Sequence, residues 1–136
     1  MSEIVSVSGG PTKPEIIAVS LSKLGLKDGD RFADVGCGTG SVSIEAARIA
    51  RNLTIYAIDA RKEALLATET NFKNFGIENA RILAGEASDI LGSEKTIDSI
   101  DCAFVGGTKN IGSILAKLVE KKARGIVVNA VRIETV

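Results

Sequence analysis

The sequence has no histidine, no tryptophan and only two cysteines among its 136 residues. Without histidine, the most common general base and the most common zinc ligand are both missing, so any chemistry here proceeds without imidazole. Cys37 and Cys102 are too far apart for a CxxC metal site or a disulfide framework, and no metal site is predicted. Basic and acidic residues both number 17. A chain without net charge offers no basic field for nucleic acid.

Long apolar segments are also missing. No run of 18 apolar residues occurs, and the first ten residues include an acid but no basic stretch, so neither a membrane span nor a secretory signal is predicted. We therefore expect no membrane partner and a cytoplasmic location. Hydrophobic residues make up 45% of the chain, which is enough for the core of one domain over residues 1–136.

Short apolar runs alternate with segments of helical spacing along the chain. Strands are predicted at 31–35, 53–58, 80–85, 100–106 and 125–131, and helices at 14–24, 39–51, 61–76 and 111–122, with a short helical turn at 86–94. The apolar runs are continuous, which is typical of parallel strands covered on both faces. The pattern predicts an open, doubly wound α/β fold whose ligand lies at the carboxyl ends of the strands.

The segment DVGCGTG follows the first predicted strand and contains Gly36, Gly38 and Gly40. This spacing fits neither the G-x-G-x-x-G dinucleotide fingerprint nor a P-loop. Asp59 ends the second predicted strand, where an acidic side chain can bind both hydroxyls of an unphosphorylated ribose. A tight turn would also use glycine, but three glycines in five residues, followed by this acid, favour binding of a nucleoside.

Several neighbouring side chains have two interpretations each. Asp34 either accepts backbone donors at the strand end or contacts the ligand. Thr39 either caps the following helix or faces the ligand. Glu45 and Arg61 are most simply interpreted as solvated charges on helices, although Arg61 could reach toward the ligand.

The G-x-G-x-G loop entered by Asp34 resembles motif I of the class I S-adenosylmethionine-dependent methyltransferases. Three further segments narrow the resemblance: GGPTKPEI at 9–16, FVGGT at 104–108 and VVNAVRIET at 127–135. Together they resemble the decarboxylating precorrin-6Y C15-methyltransferase family of cobalamin biosynthesis, including its cobalt-precorrin branch. The match is collinear over nearly the whole chain.

The resemblance implies that S-adenosylmethionine is the cofactor and that a tetrapyrrole, a corrin precursor, is methylated at C15 with loss of carbon dioxide from its C12 acetate. It implies that Asp59 holds the ribose, that Ala87 lies against the adenine and that Gly106 and Gly107 leave room for the tetrapyrrole. The other cofactor contacts implied are Thr12, Gly36, Cys37, Gly38, Thr39 and Gly40. No catalytic side chain is identified; besides Gly107, the candidates for substrate contact are Lys13, Lys109 and Arg132. A homotetramer is also implied.

The sequence departs from the family pattern in three places. Glu86 stands where the family has aspartate, and Lys109 replaces a glycine, either as a surface residue or as a partner for a substrate carboxylate. The chain ends at Val136, before the helix and antiparallel hairpin that class I methyltransferases usually add, so we expect either a shortened or a compact member. The alternatives are a methyltransferase for RNA, protein or another small molecule, an NAD-dependent oxidoreductase, and a non-catalytic cofactor-binding domain.

Overall fold

The structure, a computed structural model, describes residues 13–107 and 109–128. Five strands alternate with helices in this part of the chain. The strands are β1 (Arg31–Val35), β2 (Thr54–Asp59), β3 (Ala80–Ala84), β4 (Cys102–Val105) and β5 (Gly125–Val128). The helices are α1 (Pro14–Leu24), α2 (Ser41–Ile49), α3 (Lys62–Asn74), α4 (Ala87–Ser93) and α5 (Ile111–Glu120).

All five strands are parallel and form one sheet in the order β3-β2-β1-β4-β5. The sheet is covered on both faces. One face packs against α1, α2 and α3 through a core that includes Phe32 and Phe104. The other packs against α4 and α5 through a core that includes Val35 and Ile58. The predicted doubly wound α/β fold is therefore confirmed, and strand order reverses between β1 and β4, where such sheets bind their ligands.

Local sequence explains where most helices begin and end. Pro14 occupies the first turn of α1, and Gly25 ends that helix with φ +62°, a left-handed conformation that glycine adopts easily. Gly76 follows α3 with φ +69°, as predicted. The carboxylate of Glu86 accepts hydrogen bonds from the backbone N–H groups of Ser88 and Asp89 and so caps α4.

The predicted boundaries were wrong by one to three residues at several ends. Helix α2 begins at Ser41 and not at residue 39, because Gly40 has φ +82° and lies outside the helix. Strand β2 begins at Thr54, one residue later than predicted, and ends at Asp59. The predicted last strand at 125–131 is observed to Val128, and its final residues lie outside the described part of the chain. None of the helices in the described ranges is long and apolar enough to cross a bilayer.

Candidate functional site

A cavity of about 400 Å³ opens at the carboxyl end of the sheet. Its wall is formed by the segments that follow four adjacent strands, and it includes Gly36 after β1, Asp59 at the end of β2, Ala87 after β3 and Gly107 after β4. The volume lies within the range of small-molecule sites, roughly 300 to 1,000 Å³. The cavity therefore occupies the position that the fold predicts for a ligand.

The glycine loop between β1 and α2 contributes its first glycine, Gly36, to the wall of this cavity. Gly36, Gly38 and Gly40 have φ values of +74°, +56° and +82°, which side chains other than glycine rarely tolerate. A Cβ atom at Gly36 would meet no heavy atom within 4 Å, whereas one at Gly40 would lie 2.7 Å from Cε1 of Phe72. The first glycine thus exposes bare backbone at the cavity, and the third is required for packing against α3.

The Asp59 carboxylate lies beside this loop and is only 6% exposed. It accepts hydrogen bonds from the backbone N–H groups of Gly38, at 3.0 Å, and Arg61, at 2.9 Å. The guanidinium of Arg61 donates two more from Nε and Nη2, each at 3.2 Å. Burial alone raises the pKa of Asp59, but the hydrogen bonds from Arg61 and Gly38 outweigh it and hold the pKa below its ordinary value. Arg61 is half exposed, in agreement with its interpretation as a surface charge, but it also pairs with Asp59 and lines the cavity wall.

Asp34 lies on the neighbouring strand, β1, but its surroundings shift its pKa in the opposite direction. It is 1% exposed and accepts a hydrogen bond from Oγ of Ser43, in the first turn of α2, at 2.6 Å. Burial raises the pKa of Asp34 to about 7, and the nearby charge of Asp59 adds to this shift. Of its two interpretations, the structure supports acceptance of donors at the strand end, because Asp34 does not line the cavity.

The side chains of Cys37 and Thr39 lie beneath the glycine loop. Sγ of Cys37 is 3.3 Å from Oγ1 of Thr68, and burial raises the pKa of Cys37 to about 12. Thr39 is 2% exposed, and its Oγ1 has no hydrogen-bond partner among the described residues. The helix-capping interpretation of Thr39 was wrong, since Gly40 is the N-cap of α2. Neither Cys37 nor Thr39 is among the residues that line the cavity.

The cavity wall after β3 and β4 contains further predicted residues. Ala87, Gly106, Gly107 and Lys109 all line it, so the structure brings the predicted adenine contact and two predicted substrate contacts, Gly107 and Lys109, into the same site. Glu86 lines the cavity as well. From the sequence it was predicted only to be a longer acid in the place of the family's aspartate. Its position directly before a short helix after the third strand is the signal that identifies it.

The remaining predicted residues do not meet at the cavity in the described structure. Lys13 is the exposed N-cap residue of α1 and is not part of the cavity wall. Thr12 and Arg132 lie outside the described residues. No group of three side chains able to ligate a metal occurs within residues 13–107 and 109–128.

The strand order, the glycine loop after β1 and the acid that ends β2 together define a class I methyltransferase fold. The chain belongs to the precorrin methyltransferase family, because the sequence profile described as a precorrin methyltransferase domain matches residues 4–136. The match leaves only the first three residues of the chain outside the family domain.

Individual relatives agree with this assignment. Over its full length the chain is 99% identical to a Methanosarcina mazei protein named probable cobalt-precorrin-6B C(15)-methyltransferase (decarboxylating), of which it covers 74%. The solved precorrin-6y C5,15-methyltransferase of Geobacter metallireducens has a TM-score of 0.85 at 31% identity, over 97% of this chain and 71% of that one. The solved precorrin 8W decarboxylase of Methanobacterium thermoautotrophicum has a TM-score of 0.80 at 32% identity, over 92% of this chain and 68% of that one.

Proposed function

We propose that this chain is a cobalt-precorrin-6B C15-methyltransferase that also removes the C12 acetate carboxyl group as carbon dioxide, with S-adenosylmethionine as methyl donor. The proposal is supported by membership of the precorrin methyltransferase family and by the 99% identical relative that carries this name. The structural observation that supports the proposal most directly concerns Asp59. This ionised acid lies at the wall of the cavity and is hydrogen-bonded to Gly38 of the glycine loop.

The residues at the cavity fit the proposed cofactor. Asp59 offers a carboxylate for the ribose, the open backbone at Gly36 allows close approach of a ligand, and Ala87 leaves space for the adenine ring. Apolar wall residues from β1 and β2, Val35 and Ile58, keep this space poor in competing donors and acceptors. When bound, S-adenosylmethionine supplies a methyl group activated by a positively charged sulfur.

The chemistry requires little acid or base catalysis from the protein. The meso carbon of a reduced tetrapyrrole is nucleophilic, as in an enamine, so the chain's main task is to align two reactants and exclude water. Such positioning can lower a barrier by roughly 7 to 11 kcal/mol, which is consistent with a chain that contains no histidine. Loss of carbon dioxide leaves an electron pair that the conjugated imines of the macrocycle accept.

Cations at the site would then bind the carboxylates of the substrate. Lys109 lines the cavity and is the candidate that the described structure supports best, because a cation at the cavity wall can meet an acetate or propionate. Lys13 and Arg132 stay predictions. We also propose that residues 1–136 form a single methyltransferase domain, since all the described strands belong to one sheet. The homotetramer and the cytoplasmic location stay predictions as well.

Calorimetric titration with S-adenosylhomocysteine tests the cofactor site. We expect micromolar binding by the chain and loss of binding in Asp59→Asn. The matched control is Asp28→Asn, because Asp28 is exposed and accepts a hydrogen bond from the Arg51 backbone at the opposite edge of the sheet. NADH is titrated in parallel, and heat with NADH but none with S-adenosylhomocysteine would contradict the proposal.

Turnover of cobalt-precorrin-6B with S-adenosylmethionine tests the substrate. The expected product gains one methyl group and loses one carbon dioxide, both of which mass spectrometry detects. Binding of S-adenosylhomocysteine without any turnover would support the non-catalytic alternative, and methylation of RNA or protein instead would replace the substrate assignment.

A further inference from the structure

The carboxylate of Asp59 has no free acceptor position in this structure. A carboxylate offers about four lone-pair sites, and Asp59 receives four N–H donors. On Oδ1 they are the backbone N–H and Nε of Arg61, and on Oδ2 they are the backbone N–H of Gly38 and Nη2 of Arg61. A ribose diol, which donates two hydrogen bonds, finds no vacant site there.

These four donors differ in mobility. Two belong to the backbone, one in the glycine loop and one directly before α3, so the fold holds them in place. The other two belong to the side chain of Arg61, which is 48% exposed and extends along the cavity wall. Its Nη2 would lie 3.8 Å from a Cβ atom built on Gly38. The guanidinium thus lies between the glycine loop and the end of β2.

We propose that the guanidinium of Arg61 occupies the ribose-diol position of the cofactor site and leaves it when the cofactor binds. Its departure vacates one acceptor position on each oxygen of Asp59, which is the number and arrangement that two vicinal hydroxyls require. The backbone N–H groups of Gly38 and Arg61 stay bonded and keep the carboxylate oriented. This inference rests on the proposed function, because it assumes that the ligand carries a ribose.

The exchange is feasible because the Arg61 side chain is 48% exposed and can move into solvent. Asp59 is only 6% exposed, and the two ribose hydroxyls would replace the donors that it loses, so the buried carboxylate is not left unpaired. Arg61 also has an alternative electrostatic partner in Glu63, whose charge already acts on the guanidinium. In the free protein, Arg61 therefore competes with the cofactor for Asp59. The apparent affinity for the cofactor is lowered in proportion to the fraction of molecules in which Arg61 occupies the site. Removal of the side chain should raise that affinity.

Calorimetric titration of Arg61→Met with S-adenosylhomocysteine tests this prediction. We expect binding about three- to tenfold tighter than in the unchanged protein. Arg48→Met is the matched control, because Arg48 is also half exposed and paired with an acid, Glu45, but lies outside the cavity wall. Its affinity should be unchanged. Arg61→Lys keeps the charge without the fork of two N–H groups and should bind with intermediate affinity.

A spectroscopic measurement separates displacement from a merely structural role. The Nε–H resonance of Arg61, assigned by its absence in Arg61→Met, should move toward the position of a solvent-exposed arginine on addition of S-adenosylhomocysteine. Equal or weaker binding by Arg61→Met, or an Arg61 resonance unmoved at saturation, would overturn the exchange and leave the cofactor assignment intact. Absence of binding in every variant and in the unchanged protein would overturn both.

Discussion

Asp34 and Asp59 lie near the carboxyl ends of neighbouring strands, yet their surroundings act on them in opposite directions. Asp59 is kept ionised by four N–H donors. Asp34 has the hydroxyl of Ser43 as its side-chain partner, and burial raises its pKa to about 7 from 3.8. One acid is therefore an anion at the cavity wall, and the other titrates near neutral pH inside the protein.

The titration of Asp34 makes stability depend on pH. Between pH 3.8 and about 7 the folded protein holds a proton on Asp34 that the unfolded chain has released, so this acid's contribution to the free energy of unfolding falls as pH rises through that window. The slope is at most about 1.4 kcal/mol per pH unit. Asp34→Asn cannot titrate, and we expect its stability relative to the unchanged protein to improve from pH 5 to about 7 and to level off at higher pH.

Urea denaturation at pH 5, 6, 7 and 8 measures this difference. Asp98→Asn, at an exposed position, is the control and should follow the unchanged protein at each pH. If the stability of Asp34→Asn relative to the unchanged protein were constant over the range, Asp34 would not be the buried acid that titrates.

The packing of the glycine loop can be tested by substitutions at two of its glycines, which have different surroundings. Gly36→Ala and Gly40→Ala both place a side chain at positive φ, at a cost of about 1 to 2 kcal/mol. At Gly40 the added methyl group also meets the ring of Phe72 at 2.7 Å, and such overpacking costs about 1 to 3 kcal/mol more. We therefore expect Gly40→Ala to be the less stable variant.

Chemical denaturation of the two variants under one condition gives the comparison. Gly36→Ala serves as the control for backbone strain, because its methyl group would point into open space. Equal stability of the two variants would show that α3 moves away from the loop at little cost, against the close packing observed at Gly40.

The strands and helices were largely predictable from the sequence, whereas the contacts between their side chains were not. Continuous apolar runs predicted all five strands, and Gly76 predicted the end of α3, because both signals are local. The hydrogen bond from the Gly38 N–H group to Asp59 joins residues that are 21 positions apart along the chain. Burial of Asp34 likewise depends on how α2 packs. Such contacts arise only when separate elements meet.

An ion pair connects distant parts of the chain at the amino ends of the strands, on the side opposite the cavity. Arg124, just before β5, donates to the carboxylate of Asp30 before β1 and to the carbonyl oxygen of Gly25 after α1. Asp30 is only 7% exposed, so removal of its partner leaves a buried charge without its strongest donor. We expect Arg124→Met to lose about 1 to 3 kcal/mol of stability.

Thermal unfolding and calorimetric titration together test whether this ion pair contributes to stability without affecting binding at the cavity. The affinity of Arg124→Met for S-adenosylhomocysteine should equal that of the unchanged protein, since the ion pair lies at the amino ends of the strands. Arg51→Met, at an exposed position nearby, controls for loss of charge. A weaker affinity in Arg124→Met alone would show that the two edges of the sheet are coupled.

The two buried thiols can be used to measure how often their surroundings open locally. Cys37 lies under the glycine loop, and Cys102 lies in the sheet with its sulfur 3.6 Å from the carbonyl oxygen of Leu24. Burial raises the pKa of Cys37 to about 12 and that of Cys102 to about 11, so neither reacts readily while it stays enclosed. The alkylation rate of each thiol therefore measures the free energy of opening of its own region, without any introduced label.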